Sequence, residues 1–322
     1  SEADGYENTG LSGRLRLTLT DALSAEVRAV WSDGEADTDG FAGDDDSYGT
    51  TGELVVYTGL NLALLDGRLK NRLAFGYTET DRKAHLPSDP VAPIFFEGLG
   101  EIRRWEYQGV LAVTDDWTAT FGLESEKAEM RQRAPWTFDP NPPFTTGKVG
   151  VDSVYGQAQG VIVPGLTITA GLRHDEHDVY GGHTLGSLAG AWSLNDGDTV
   201  LRASFGQGFR APGLYELYSE YGNTALSPEE FDSWDLGVEQ RLGHDIVVSA
   251  TYFRREADNE IRFYSCAFGS PEPLCNPNGV FRFGYYDNIQ KTQAQGLELA
   301  ARTEAGALTL SGNYTWTQAE NA

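Results

Sequence analysis

The chain has 322 residues, with 38 Gly, 15 Tyr, 7 Trp and a single Met, and it sets 24 Lys+Arg against 48 Asp+Glu for a formal net charge of −24. That composition favours β structure, and so acidic a field repels nucleic acid, so no nucleic-acid partner is expected. No apolar run approaches the roughly 18 residues of a membrane-spanning helix, which excludes a helical membrane protein but not a barrel, whose strands need an apolar residue only at alternate positions.

Ser1 opens into polar sequence without a signal peptide, as expected of a mature or truncated chain. The first periodic segment places Leu11, Gly13, Leu15, Leu17 and Leu19 on one face and Ser12, Arg14, Arg16, Thr18 and Thr20 on the other. A helix would mix these sets, so the segment is read as a strand. After a tight turn, Leu23, Ala25, Val27, Ala29 and Trp31 oppose Ser24, Glu26 and Arg28, completing a hairpin. The alternation returns at Leu69 to Tyr77, Trp117 to Leu123, Leu166 to Leu172, Leu201 to Phe205, Ile246 to Tyr252 and Leu308 to Trp316, for about fourteen strands in all.

Tight turns fall at Leu65-Asp66-Gly67, Asp115-Asp116, Pro164-Gly165, Asn195-Asp196-Gly197, Gly243-His244 and Glu304-Ala305-Gly306. Between them run long connections of roughly Asp33 to Tyr48, Asp81 to Gly100, Arg131 to Gly150, Phe209 to Glu230 and Asn259 to Asn288. Short turns at one end and long loops at the other are the asymmetry of an outer-membrane barrel, whose outer face meets lipid. A soluble sandwich or propeller also alternates. Against it stand strands of ten or more residues, an apolar parity almost free of charge, and aromatics such as Trp31, Tyr77, Trp105, Trp117 and Trp316 gathered towards strand ends.

Residues 205 to 239 run Phe-Gly-Gln-Gly-Phe-Arg-Ala-Pro-Gly-Leu-Tyr-Glu-Leu-Tyr, then Tyr-Gly-Asn and Leu-Ser-Pro-Glu-Glu, then Gly-Val-Glu. Together with Arg173-His174-Asp175-Glu176-His177 and Tyr286-Asp287-Asn288 leading to Gly296-Leu297-Glu298-Leu299, this resembles TonB-dependent outer-membrane receptors over essentially the whole chain. The Asp-Gly-Tyr opening at residues 4 to 6 and the acidic first loop look most similar to vitamin B12 (cobalamin) receptors, although ferric-siderophore receptors share the Arg-Ala-Pro and Leu-x-Pro-Glu segments.

The resemblance implies an all-β antiparallel transmembrane barrel. It implies a non-enzymatic role in energy-coupled uptake of a corrinoid or an iron chelate, with TonB acting through a plug domain. Residues 1–322 are expected to be barrel alone: about fourteen of some twenty-two strands, with a couple preceding Ser1, about six following Ala322 and no plug. A passive porin or adhesin-like barrel is the alternative.

Asp33, Glu35, Asp37, Asp39, Asp44, Asp45 and Asp46 crowd the first loop, and Asp37, Asp39, Asp44, Asp45 and Asp46 are the candidate calcium ligands, since oxygen-rich loops suit that ion. Vitamin B12 receptors are similar in ordering extracellular loops with calcium. Arg210, Tyr215, Tyr218, Tyr221, Tyr285 and Tyr286 are the candidate ligand contacts, because rigid amphipathic rings bind well in a mouth. Cys266 and Cys275, in a proline-rich loop, are expected to form a disulfide.

His174, His177 and His183 lack the further ligands a metal centre needs. Gly206-Gln207-Gly208 continues a strand instead of opening a helix, so it is no phosphate loop. No Gly-x-Ser-x-Gly elbow marks a hydrolase.

Overall fold

The computed structural model describes residues 5–39, 43, 45–243 and 245–321. Fourteen strands follow one another: β1 (Tyr6–Thr18), β2 (Leu23–Asp37), β3 (Tyr48–Leu64), β4 (Leu69–His85), β5 (Ile94–Ala112), β6 (Trp117–Arg133) and β7 (Thr145–Val163) come first. They continue as β8 (Leu166–His177), β9 (Gly181–Leu194), β10 (Thr199–Arg210), β11 (Glu229–Leu242), β12 (Ile246–Ser265), β13 (Gly284–Ala305) and β14 (Leu308–Asn321). The one α-helix among the described residues is the five-residue α1 (Leu214–Tyr218). All fourteen strands join a single antiparallel sheet in chain order, so each connection is a hairpin, and β1 and β14 each have one strand neighbour among the described residues.

Because side chains alternate along a strand and the hairpins hold register, the two parities become two chemically distinct faces. Leu17, Ala25, Leu60, Leu73, Tyr107, Leu123 and Val154 stand side by side across β1 to β7. Leu236, Tyr252, Leu297 and Trp316 do the same from β11 to β14. No second sheet covers these rows: Leu123 is 57% and Leu172 66% exposed. The sandwich alternative therefore fails, since a soluble sheet buries such a face.

The opposite face is a lattice of charge. Arg14 and Arg28 both reach the carboxylate of Glu26, at 3.1 and 3.0 Å. Arg72 pairs with Glu106, and Arg104 and Arg173 share Glu124 at 2.7 and 2.8 Å. Glycines make room for this layer. At Gly208 in β10 an added Cβ would lie 1.9 Å from the ring of Phe231, which rests on the bare backbone with Arg255 over it at 4.3 Å.

The hairpin turns fall where the sequence places them, with Leu65, Asp66 and Gly67 all at positive φ. The long connections are shorter than expected. Strands β4 and β5 continue to His85 and from Ile94, β6 and β7 to Arg133 and from Thr145, and β12 and β13 to Ser265 and from Gly284. In these extensions the apolar-against-polar alternation breaks down, through consecutive polar residues in Glu79 to His85 and consecutive apolar ones in Ile94-Phe95-Phe96, while the backbone ladder runs on.

Candidate functional site

The long-loop end of the sheet is organised around Arg210, the last residue of β10. Its guanidinium forks onto Glu229, with Nε donating to Oε2 at 2.7 Å and an Nη donating to Oε1 at 2.8 Å, and also reaches Glu216 of α1 at 3.0 Å. Glu229 is 8% exposed and accepts the Ile261 amide at 2.7 Å, while Glu216 accepts the Gly213 amide at the start of α1 at 2.7 Å. Such bidentate charge-assisted bonds are strong and directional. One arginine thus ties β10, α1, β11 and β12 together.

The neighbouring motif residues lock the same loops. Asn288 accepts the Ser227 amide at 2.9 Å and donates to the Ser227 and Asn259 carbonyls, and Asn223 donates to the Tyr286 carbonyl at 3.0 Å. Beneath them Leu217, Leu226 and Ile261 form a small apolar core with Tyr218 and Tyr286 packed against it. Arg282 reaches across to the carbonyls of Leu274, Glu220 and Gly222.

Five of the six candidate ligand contacts share this region in different ways. Tyr215 meets Phe96 and Tyr286, with ring centroids 6.5 and 6.3 Å away, and Tyr286 and Tyr221 both pack edge-on to Phe263. Tyr218 closes over Gly147. Arg210, the fifth, is engaged by carboxylates of its own chain. Tyr285 is only 4% exposed, stacks beside Tyr264 and lies under Arg282, so its ring is a packing element rather than a surface of the mouth. Burial raises the phenol pKa of Tyr215 and Tyr221, with the Glu220 carboxylate adding to it, so both stay neutral hydroxyl donors. Below α1 a cavity of about 410 Å³ opens among Arg104, Glu124, Arg173, His177, Phe209 and Leu214.

Sequence reasoning did not single out Glu216, Glu220, Gln132 or Glu229. Gln132 is 3% exposed and donates to Glu220 at 3.3 Å. Only the Leu-x-Pro-Glu motif hinted at Glu229.

Cys266 and Cys275 form the expected disulfide, with Cα atoms 5.6 Å apart and Cys275 fully buried. Of the acidic first loop, Asp37 accepts the Gly5 amide at 2.9 Å and Asp45 the Ser47 amide at 2.9 Å, Asp39 and Asp46 are exposed, and Asp44 lies outside the described residues. Among the described residues no three His, Cys, Asp or Glu side chains gather as a metal site. The histidines have other partners. His177 accepts the Val179 and Tyr180 amides, His183 stacks on Phe209 at 3.8 Å, and His174 lies opposite Val154 and bonds Thr184.

Residues 2–322 match the family model described as TonB dependent receptor-like, beta-barrel. The chain belongs to that family. Its barrels sit in the Gram-negative outer membrane, so the apolar face is the lipid face and the charged lattice lines the lumen.

Among solved structures, the chain is similar to the siderophore receptor PirA from Pseudomonas aeruginosa at 19% identity and TM-score 0.77, covering 98% of this chain and 57% of that one. The ferric enterobactin receptor PfeA from Pseudomonas aeruginosa matches at 18% identity and TM-score 0.78, covering 98% and 51%. The copper transporter OprC matches at 16% and 0.76, covering 99% and 53%. At such identities the likeness establishes the fold, and the chain spans little more than half the length of these receptors. The cobalamin expectation finds no support in these names.

Proposed function

We propose that this chain forms barrel wall and extracellular mouth in a receptor for the energy-coupled uptake of a scarce metal as its chelate, a ferric siderophore before a corrinoid. The supporting observation is the mouth itself, in which loops fastened by Arg210, Asn223 and Asn288 present Tyr215, Tyr221 and Tyr286 as neutral aromatic donors. Rigid amphipathic rings suit an organic chelate. Receptors of this fold named for siderophores and copper favour a metal-bearing ligand. The partners are the lipid around the barrel, the ligand at the mouth, and TonB acting through a plug.

The reading predicts that cells carrying the full-length receptor accumulate radiolabelled iron from a ferric siderophore, and that collapse of the proton-motive force abolishes uptake. Uptake that survives the collapse would favour a passive porin. Saturable binding of cyanocobalamin with no response to any ferric chelate would return the corrinoid. We further propose that calcium engages the loop carrying Asp37, Asp39, Asp44, Asp45 and Asp46, and calorimetry showing no heat at millimolar calcium would remove that proposal.

A further inference from the structure

One short connection stands among the long ones at the mouth. Between β8 and β9 the chain turns through Asp178, Val179 and Tyr180, and His177, the last residue of β8, holds that turn with its side chain. The His177 Nδ1 accepts the backbone N–H of Val179 at 3.1 Å and that of Tyr180 at 3.3 Å. Two donors aimed at one ring nitrogen fix the tautomer: Nδ1 keeps its lone pair and the proton sits on Nε2. The residue is 4% exposed.

Tyr180 passes the hold onward. His183 on β9 meets the Tyr180 carbonyl through Nε2 at 3.3 Å, so two histidines grip the two sides of one residue. Both rings also flank Phe209, the neighbour of Arg210, with His183 stacked on it at 3.8 Å and His177 edge-on at 6.4 Å. The Tyr180 hydroxyl donates to the Leu226 carbonyl at 3.2 Å, and Leu226 is buried in the small core with Leu217 and Ile261. The turn is thereby fastened to the loop that follows α1.

Protonation is incompatible with this arrangement, because an imidazolium donates from both nitrogens and accepts at neither. A proton on Nδ1 would point at two amide hydrogens. Around the ring, β7 supplies Val149, Val151 and Ser153 and α1 supplies Leu214, all uncharged. The charges across the cavity are already matched: Arg104, Glu124, Arg173 and Asp175 form one chain of ion pairs with Glu126 3.9 Å from Arg104, and Arg210 is held by Glu216 and Glu229. Asp178 and His183 are the remaining charged neighbours, and His183 itself faces Glu230 at 3.4 Å. On β8 the outward row passes from Leu172 to polar His174 and Glu176, which puts His177 beyond the hydrocarbon. Burial is the largest influence on the ring and disfavours its charged form; Asp178 pulls the other way, and His183 reinforces burial. The hold is therefore complete above the ordinary histidine value near 6.5 and is lost as pH falls through the lower folded value.

We propose that His177 is an acid-released latch on the mouth: neutral, it fastens the 178–180 turn and, through Tyr180, the loop at Leu226; protonated, it lets both go. The latch acts whatever cargo the mouth takes. Its two states differ by one proton at one buried nitrogen, and the packed element it biases is the loop between α1 and β11.

The test follows hydrogen exchange in the full-length receptor in detergent from about pH 5 to about pH 8, the range in which histidine titrates, with each rate corrected for the intrinsic pH dependence of exchange. Protection of residues 178–184 and 219–228 should fall together below about pH 6.5, by up to about tenfold per pH unit, the slope of a single linked proton. H177N places an amide oxygen where Nδ1 stood, a non-titrating acceptor suited to the backbone amides that follow it, and should keep both segments protected across the range. Y180F should leave the response of the turn intact and remove it from 219–228. Heat-modifiable gel mobility verifies that the variants fold, and Y180F, which leaves the His177 ring in place, keeps the test decisive. Flat protection in either segment of the parent overturns the proposal. H177N responding to pH as the parent does also overturns it, and loss of that response in H183N would assign the proton to His183 instead.

Discussion

Replacing Arg210 with alanine leaves the Glu229 carboxylate, 8% exposed, with the Ile261 amide as its hydrogen bond and only the more distant Arg255 as a counter-charge. Breaking a buried pair from one side costs about 3–5 kcal/mol. The arginine side chain is 44% exposed, so water replaces part of what it supplied, and the expected loss falls to about 2–3 kcal/mol. The loss is local. Thirteen strand-to-strand ladders hold the sheet whether or not Arg210 is present, so global melting should barely move while α1 and its flanking loop open. Hydrogen exchange measures this directly: amides of residues 214–218 and of Ile261 should exchange roughly 30- to 160-fold faster in R210A. In R210A/E229Q the orphaned charge is gone, and much of the protection should return. Unchanged exchange in R210A would refute the clamp, and equal loss in single and double variants would refute the orphaned-carboxylate explanation.

Reducing the Cys266–Cys275 bond, or making C266S/C275S, should destabilise the 266–283 loop by about 3 kcal/mol, the closure entropy of a ten-residue loop; limited proteolysis should cut the loop first. Gly208→Val should cost about 1–3 kcal/mol by driving the Phe231 ring off its backbone seat, with melting partly restored by adding F231A. Burial raises the Tyr215 and Tyr221 pKa values, so their contribution to loop stability is complete below the ordinary phenol value near 10 and is lost as pH rises through the higher folded values. Ultraviolet titration should show phenolate appearing at higher pH than in free tyrosine and coinciding with loop exchange; early ionisation would show that the rings are open to water.

The wall was legible in the sequence because lipid imposes a rule on every second residue, and Leu11 to Leu19 or Trp117 to Leu123 obey it without help from distant contacts. The strand ends were not legible. From Glu79 to His85 nearly every residue on both faces is charged or polar, and from Lys127 to Arg133 the lipid-side parity is charged while Ala128 and Met130 fall on the other, so no outward apolar row marks a ladder held by backbone hydrogen bonds. The site was half legible for a related reason. The Arg-Ala-Pro, Tyr-Gly-Asn, Leu-x-Pro-Glu and Tyr-Asp-Asn segments stand out in the chain, yet Arg210, Asn223, Glu229 and Asn288 spend their polar groups on one another's loops. Their pairing across 19 to 63 residues depends on register, which a linear reading lacks. These segments therefore identify the architecture and say little about the cargo.

Strand length has a consequence of its own. β12 and β13 run for 20 and 22 residues, and at about 3.3 Å per residue and a tilt near 40° each climbs roughly 50 Å, against a hydrocarbon slab of about 30 Å. The surplus forms a stiff collar of about 20 Å beyond the hydrocarbon slab. Tyr215, packed edge-on to Tyr286 near the start of β13, is carried on that collar, away from the hydrocarbon.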